Sequence, residues 1–211
     1  MNSAAVKLIS DEGKGRAFVF ISEANHSNSV LNQLNTNLAT NSRLIKLEVE
    51  LITENNWQNL SREIIQLFSE LKIRQASIIA SNAGTSLAQN ICLLEQKLIR
   101  SLVLINPVTK PHPTKLEKIT DYLESFLPLG LPLRNQSRKF DSRPFLQRLR
   151  SPVLVFLTTN HTNQQEKEAE LLVNRAPTAW KFKITDKTDI LDLVNQFEKV
   201  PVKCPQKNKR V

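Results

Sequence analysis

The sequence predicts an α/β domain of three layers, in which helices cover both faces of a mainly parallel sheet of about six strands. The apolar segments are continuous runs rather than alternating ones, which is typical of strands buried on both faces. Amphipathic stripes of helical spacing separate most of these runs, as in a doubly wound domain with right-handed crossovers. A length of 211 residues suits one domain with a sizeable core.

Six apolar runs are the predicted strands. They are Ala17–Ile21, Leu44–Val49, Ala76–Ala80, Leu102–Ile105, Val153–Leu157 and Trp180–Ile184.

Four stripes predict the helices between and after these strands. They comprise Val30, Leu31, Leu34 and Leu38, then Trp57, Leu60, Ile64, Leu67, Phe68 and Leu71, then Leu87, Ile91, Leu94 and Leu98, and last Ile190, Val194 and Phe197. Asp186 or Thr188 is a plausible N-cap of the last helix.

Two segments depart from this alternation. We expect one domain over residues 1–200, interrupted by an insertion or cap at 107–151, which is rich in proline and arginine and holds a short amphipathic helix near 116–126. The end of the chain, 201–211, reads PVKCPQKNKRV, and its polar, basic composition predicts a disordered tail.

The composition excludes several classes of protein. No run approaches the roughly 18 apolar residues of a membrane span, and the first residues lack a secretory pattern. Two cysteines form no disulfide framework, so we expect free thiols and a cytoplasmic protein. Only four glycines and three histidines without ligand spacing argue against a phosphate loop or a metal site. We therefore expect no cofactor and no metal.

The stretch ASIIASNAGTSLAQNICLLEQKLIRSLVLINP, residues 76–107, places a tight turn of small residues between a buried strand and a helix. With the preceding helix and the later segment PFLQRLRSPVLVF, it resembles the α/β-hydrolase family from about Ala17 to Val200. The order and spacing of these pieces carry the resemblance, which implies a nucleophile elbow in this turn.

The apex of that elbow, which carries serine in the family, falls on Asn82 when counted back from Leu102. Asparagine tolerates the positive φ that the apex requires, whereas its carboxamide is a poor nucleophile. The flanking Ala80 and Gly84 are small enough for close packing of strand and helix.

The other positions that the resemblance implies are altered as well. The loop expected to hold the acid is Thr158-Thr159-Asn160-His161, and its first carboxylate, Glu166, comes only later. The loop expected to hold the histidine is Thr185-Asp186-Lys187-Thr188, and Ser22-Glu23 replaces the usual His-Gly pair. The resemblance is therefore to a catalytically degenerate member.

Four residues near the turn leave alternatives open. Ser86 imitates an elbow serine but falls within the predicted helix, and Ser81 should point away from the apex. His161 is either a base beside the site or a solvated loop residue. Asn82 either binds a ligand in a residual pocket or only forms the turn.

These observations favour a non-catalytic protein that acts by binding a protein partner, as an adaptor or a subunit of a larger assembly. The alternative is an active esterase or thioesterase with non-standard catalytic residues. A net charge of +9 adds nucleic acid or an anionic membrane as a third, less favoured kind of partner.

The basic residues concentrate in 127–150 and 199–211, so we expect the charge to belong to the insertion and the tail rather than to the core. The insertion contains FLPLGLPL, whose leucines either cover the sheet end or form an apolar patch rimmed by basic residues. The second interpretation predicts a docking site for an acidic protein partner. Its residues are Leu127, Leu129, Leu131, Arg134, Arg138 and Lys139.

Overall fold

The structure, a computed structural model, describes residues 6–23, 34, 42–50, 57–109, 141–184 and 190–199. Seven strands in this part of the chain form one sheet of order β1-β3-β2-β4-β5-β6-β7. The strands are β1 Val6–Glu12, β2 Arg16–Glu23, β3 Ser42–Val49, β4 Ala76–Ser81, β5 Ile99–Ile105, β6 Val153–Leu157 and β7 Ala179–Lys183. All neighbours are parallel except β1, which pairs with β3 in the antiparallel sense. The predicted α/β class is confirmed, and each predicted strand corresponds to one of β2–β7.

The first strand, β1, was not predicted, because its sequence VKLISDE is largely exposed and polar. It lies beside β3 rather than beside β2, although only three residues separate it from β2. The connection passes over the start of β3, where a Cβ on Gly13 would lie 2.2 Å from the carbonyl oxygen of Ser42. Gly13 also has φ of +84°, so glycine meets both the steric and the conformational requirement of this crossing.

Helices on both faces of the sheet complete the three layers. They are α1 Trp57–Glu70, α2 Gly84–Leu94, α3 Asn163–Arg175 and α4 Ile190–Lys199. One core joins α1, α2 and α3 to one face of the sheet. The other core joins α4 and the buried Leu34 to the opposite face. The remainder of the predicted first helix lies outside the described residues.

Helix α3 was also missed by the sequence analysis. Its sequence NQQEKEAELLVNR is mostly polar, and only Glu168, Ala169 and Leu172 are buried. Its start is nevertheless marked in the sequence, because Thr162 and Gln165 form a reciprocal capping box.

The two stems of the predicted insertion are joined by buried residues. The amide of Ser142 donates to the carbonyl oxygen of Thr109 at 2.9 Å, and the Ser142 hydroxyl donates to the same oxygen at 3.1 Å. A short 3-10 helix, Arg143–Arg148, then leads towards β6. Residues 110–140, with their predicted helix, and the tail 201–211 lie outside the described residues.

Within the described ranges, the helices include none long and apolar enough to cross a membrane.

Candidate functional site

Four buried parallel strands, β2, β4, β5 and β6, end at the same edge of the sheet, here called the carboxyl edge. Crevices outside the carboxyl ends of parallel strands are the usual ligand sites of open α/β sheets. The residues that follow these strands are therefore the candidates for function.

Asn82, directly after β4, forms the apex of a tight turn into α2. It has φ of 49°, the left-handed conformation expected of an elbow apex. Its amide donates to the carbonyl oxygen of Ile105 at 3.0 Å, and the amide of Thr85 donates to the Asn82 carbonyl oxygen at 3.1 Å. The side chain is half-buried, and no hydrogen bond from the described residues engages its carboxamide. The turn thus presents one free carboxamide at the apex.

Gly84, the first residue of α2, allows this helix to approach the sheet closely. The expectation that Gly84 packs against β4 was wrong, because it faces β2 instead. A Cβ at this position would lie 3.2 Å from the carbonyl oxygen of Ile21 and 3.4 Å from its Cγ2. The helix as a whole packs on β4, β2 and β5, and the strand nearest to Gly84 at its start is β2.

Asn106, directly after β5, repeats the left-handed conformation with φ of 49°. Its carboxamide is fully engaged with Thr158 at the end of β6. Nδ2 donates to Thr158 Oγ1 at 2.9 Å, and Oδ1 accepts from the Thr158 amide at 3.0 Å. The sequence analysis did not identify Asn106 as a member of the site. The sequence indicates it only by placing an asparagine directly after a buried strand.

A histidine and a carboxylate meet beside this pair. His161 Nδ1 lies 2.6 Å from the Thr158 carbonyl oxygen, and Nε2 lies 3.6 Å from Oε2 of Glu166. Lys183 Nζ lies 2.7 Å from Oε1 of Glu166. The hydrogen bond and charge of Lys183, with a smaller contribution from His161, lower the pKa of Glu166. Glu166 lies in the first turn of α3, which brings it back beside the loop that holds His161. The sequence analysis did not predict this contact, because Glu166 follows the loop by several residues.

The other hydroxyl and thiol groups near the turn are held in structural contacts. Ser86 is buried and donates to the carbonyl oxygen of Val108 at 2.7 Å, and Ser81 is also buried. Cys92 is buried on α2, and this burial raises the pKa of its thiol to about 11. These groups are therefore not exposed nucleophiles at neutral pH.

Solved structures with the same architecture are α/β hydrolases. An alpha/beta hydrolase from Sphaerobacter thermophilus matches with a TM-score of 0.65 and 12% identity, covering 91% of this chain and 95% of that one. A hydrolase from Oleispira antarctica matches with a TM-score of 0.63 and 13% identity, covering 93% and 94%. The chain has the α/β-hydrolase fold. A thermophilic esterase from Thermogutta terrifontis, at a TM-score of 0.64 and 12% identity over 85% and 84%, shares this α/β-hydrolase fold.

No protein-family model matches the sequence, and no curated protein matches it either. Two expectations came from the sequence, a protein-binding adaptor and, as the alternative, an esterase. The structural neighbours include esterases and so fit the alternative better. Identities this low establish the fold and leave the activity to the residues of the site.

The predicted docking residues of the insertion lie outside the described part of the chain, as does the loop 185–189 after β7. In the described ranges, no group of three or more histidine, cysteine, aspartate or glutamate side chains is placed to hold a metal ion.

Proposed function

We propose that this protein uses the α/β-hydrolase fold to bind a protein partner and does not hydrolyse esters through a triad. One observation carries the proposal: a carboxamide stands at the apex of an elbow whose backbone geometry is intact. Asn82 cannot be deprotonated to a nucleophile at neutral pH, so the step that begins covalent ester hydrolysis has no group to perform it.

The surroundings of Asn82 support the same conclusion. His161, the histidine of the described residues, directs Nδ1 to a backbone carbonyl oxygen and Nε2 towards Glu166. Both ring nitrogens are thus occupied by contacts within one loop and its helix. The loop 185–189, where the family resemblance places the histidine, contains none.

The partner that we propose is an acidic protein surface or segment in the cytoplasm. The apolar and basic composition of the insertion supports this choice, since apolar patches with arginine at the rim are common in protein interfaces. In this proposal the insertion binds the partner, and the sheet with its helices is the scaffold that carries it.

A second candidate function is ester hydrolysis with non-standard residues. The pairing of His161 with Glu166 favours it, because an imidazole beside a carboxylate is the arrangement of a general base with its orienting group. The whole-chain likeness to esterases favours it too. It lacks a nucleophile, unless water or a substrate group serves as one.

Hydrolysis of short p-nitrophenyl esters separates the two candidates. We expect the wild type to show no turnover above buffer, and Asn82→Ser to show none, because no base reaches the new hydroxyl. Asn82→Ala and His161→Ala are the matched controls. If the wild type hydrolyses these esters and His161→Ala abolishes the turnover, the proposal of a binding protein is wrong and the esterase is the better function.

A further inference from the structure

The starts of β4, β5, β6 and β7 lie at the edge of the sheet opposite the candidate site, here called the amino edge. The segments that lead into these strands are bonded to one another. The Ala76 amide donates to Leu98 at 2.8 Å, and the Val153 amide donates to Thr178 at 2.9 Å, in each case to the backbone oxygen. The amino edge is therefore one continuous surface built from four neighbouring segments.

Basic side chains dominate this surface. Six exposed ones lie in the four segments: Lys72, Arg74, Lys97, Arg148, Arg150 and Arg175. None of the six forms an ion pair with any described residue. Glu95 and, at the end of α1, Glu70 are the exposed carboxylates beside them. Among the described residues, no carboxylate neutralises these six charges.

The end of α4 extends the same surface. Arg100 Nη2 donates to the backbone oxygen of Glu198 at 3.4 Å, which places the last turn of α4 against the start of β5. The buried Glu198 carboxylate is engaged by Arg100, Ser77 and Ser101, so it does not offset the exposed charges. Lys199, which is exposed, follows directly.

Charges of both signs lie at both edges, in different proportions. At the carboxyl edge, Glu48 lies opposite Lys7 and Glu166 pairs with Lys183. At the amino edge, exposed arginines and lysines outnumber the exposed carboxylates Glu12, Glu70 and Glu95.

Arg148, Arg150 and Lys199 belong to the segments 127–150 and 199–211, where the sequence analysis expected the basic character. The other basic side chains of this edge come from outside those segments.

We propose that the amino edge binds the phosphate backbone of nucleic acid without sequence preference. Strands spaced by about 4.8 Å place the four segments over roughly 15 Å, which spans about four phosphates of one DNA strand. Arginine predominates among the exposed basic residues, and its planar fork bonds phosphate oxygens in pairs.

Other anionic partners fit this surface less well. A protein interface has an apolar centre depleted in charge, whereas charged side chains occupy the middle of the amino edge. A membrane surface needs apolar side chains that insert between lipids. The large apolar side chains exposed on the described part of this edge are Leu94, Phe145 and Trp180. Two of them are engaged by neighbours, since Arg148 stacks over the Phe145 ring at 5.4 Å and Trp180 packs edge-on against Phe197 at 5.6 Å.

The test measures binding of a fluorescein-labelled 20-base-pair duplex to the full chain by anisotropy between 50 and 200 mM NaCl. We expect a Kd of about 1–100 µM near 150 mM salt. Reversal of Arg74, Arg148 and Arg150 to glutamate should weaken binding at least about tenfold and reduce the slope of log K against log salt by about 2 to 3. A control with the same change of net charge reverses Lys7, Arg62 and Lys167, which are exposed and lie away from this edge.

Absence of wild-type binding at 50 mM NaCl overturns the proposal, as does equal weakening by the two triple variants. A parallel sedimentation assay uses vesicles with about one third phosphatidylserine. Loss of vesicle binding in the amino-edge variant, without loss of DNA binding, assigns the surface to a membrane and overturns the proposal as well. Ester hydrolysis is not a readout here, so this proposal and the proposed function fail independently.

Discussion

Two asparagines with the same backbone conformation end neighbouring strands and use their carboxamides differently. Asn82 and Asn106 both have φ of 49°. The carboxamide of Asn106 bonds Thr158 at both of its polar atoms, whereas that of Asn82 makes no hydrogen bond within the described residues. Asn106 therefore stabilises the contact between the ends of β5 and β6. Asn82 contributes its left-handed conformation at the apex or binds a ligand there.

Replacement of each asparagine by glycine separates these contributions, because glycine accepts the left-handed conformation without a side chain. We expect Asn82→Gly to change the free energy of unfolding by less than about 0.5 kcal/mol. Asn106→Gly should lower it by about 1 kcal/mol or more, since it leaves the half-buried amide and hydroxyl of Thr158 without their partner. Urea denaturation measures both. Equal losses for the two variants would contradict this division.

Sequence reasoning located Asn82 but not the contacts around it. The spacing from a buried strand to the next one fixed the apex, and the preference of asparagine for positive φ predicted its conformation. Asn106 and the pair of His161 and Glu166 depend on which strands are neighbours and where α3 begins. Residues that meet only through tertiary structure leave no local pattern in the sequence.

At the scale of elements, β1 is attached to the sheet by its pairing with β3 and by one ion pair. Arg43 on β3 bonds Asp11 at two positions, Nε at 2.7 Å and Nη2 at 2.6 Å, and its Nη1 donates to the backbone oxygen of Leu71 at 2.9 Å. The hydrogen bond from Arg43 lowers the pKa of Asp11. The pair thus joins the edge strand, its neighbour and the end of α1.

Because the folded pKa of Asp11 is lowered, the stability that it contributes is present above the unfolded pKa of about 4 and is lost as the pH falls through the folded value. We expect Asp11→Asn to cost about 0.5–1 kcal/mol at pH 7 and nearly nothing at pH 2, as the pair is partly exposed. Urea denaturation at both pH values measures this difference. Glu170→Gln is the control, because it removes the carboxylate that pairs with Lys181 and is more exposed than Asp11. It should lower the free energy of unfolding less than Asp11→Asn does. An unchanged loss at low pH would show that the carboxylate charge is not responsible.

Most elements that the sequence predicted have buried apolar residues. Strands β2 to β6 and helices α1, α2 and α4 carry apolar runs or stripes that follow from burial, whereas β7, an edge strand, was predicted although none of its residues is buried. β1 and α3 cover an edge and an outer surface, so they contain few apolar residues. Their positions depend on backbone pairing and on helix capping, and neither is detected by hydrophobic periodicity.

At the scale of the whole molecule, the two edges of the sheet differ in what they hold. The carboxyl edge holds the elbow and the two asparagines, and the insertion departs from the end of β5 on this side. The amino edge holds arginines and lysines that form no ion pair with described residues. In our two proposals, the basic insertion binds an acidic protein partner and the amino edge binds nucleic acid, so one molecule would bring the two together.

This arrangement predicts that the two binding functions can be removed separately. Reversal of Arg134, Arg138 and Lys139 to glutamate should leave the thermal midpoint unchanged and duplex DNA binding within about twofold of the wild type, because these residues are not among those that we assign to the amino edge. Capture of protein partners from nuclease-treated lysate should fall at least about tenfold.

Quantitative comparison of the proteins captured at 50 and 150 mM salt measures the loss. The variant with Lys7, Arg62 and Lys167 reversed provides the control of equal charge. If the insertion variant folds normally and captures every wild-type partner with unchanged affinity, the protein docking site lies elsewhere.

The place of β3 between β1 and β2 also constrains how the chain can fold while it is being synthesised. Val6 pairs with Val49 and Arg16 pairs with Ser42, so neither of the first two strands has a neighbour until the third has left the ribosome. At roughly 5–20 residues per second, β1 waits several seconds with its backbone unpaired. The emergence of β3 is the earliest moment at which three strands can close together, with β1 on one side and β2 on the other.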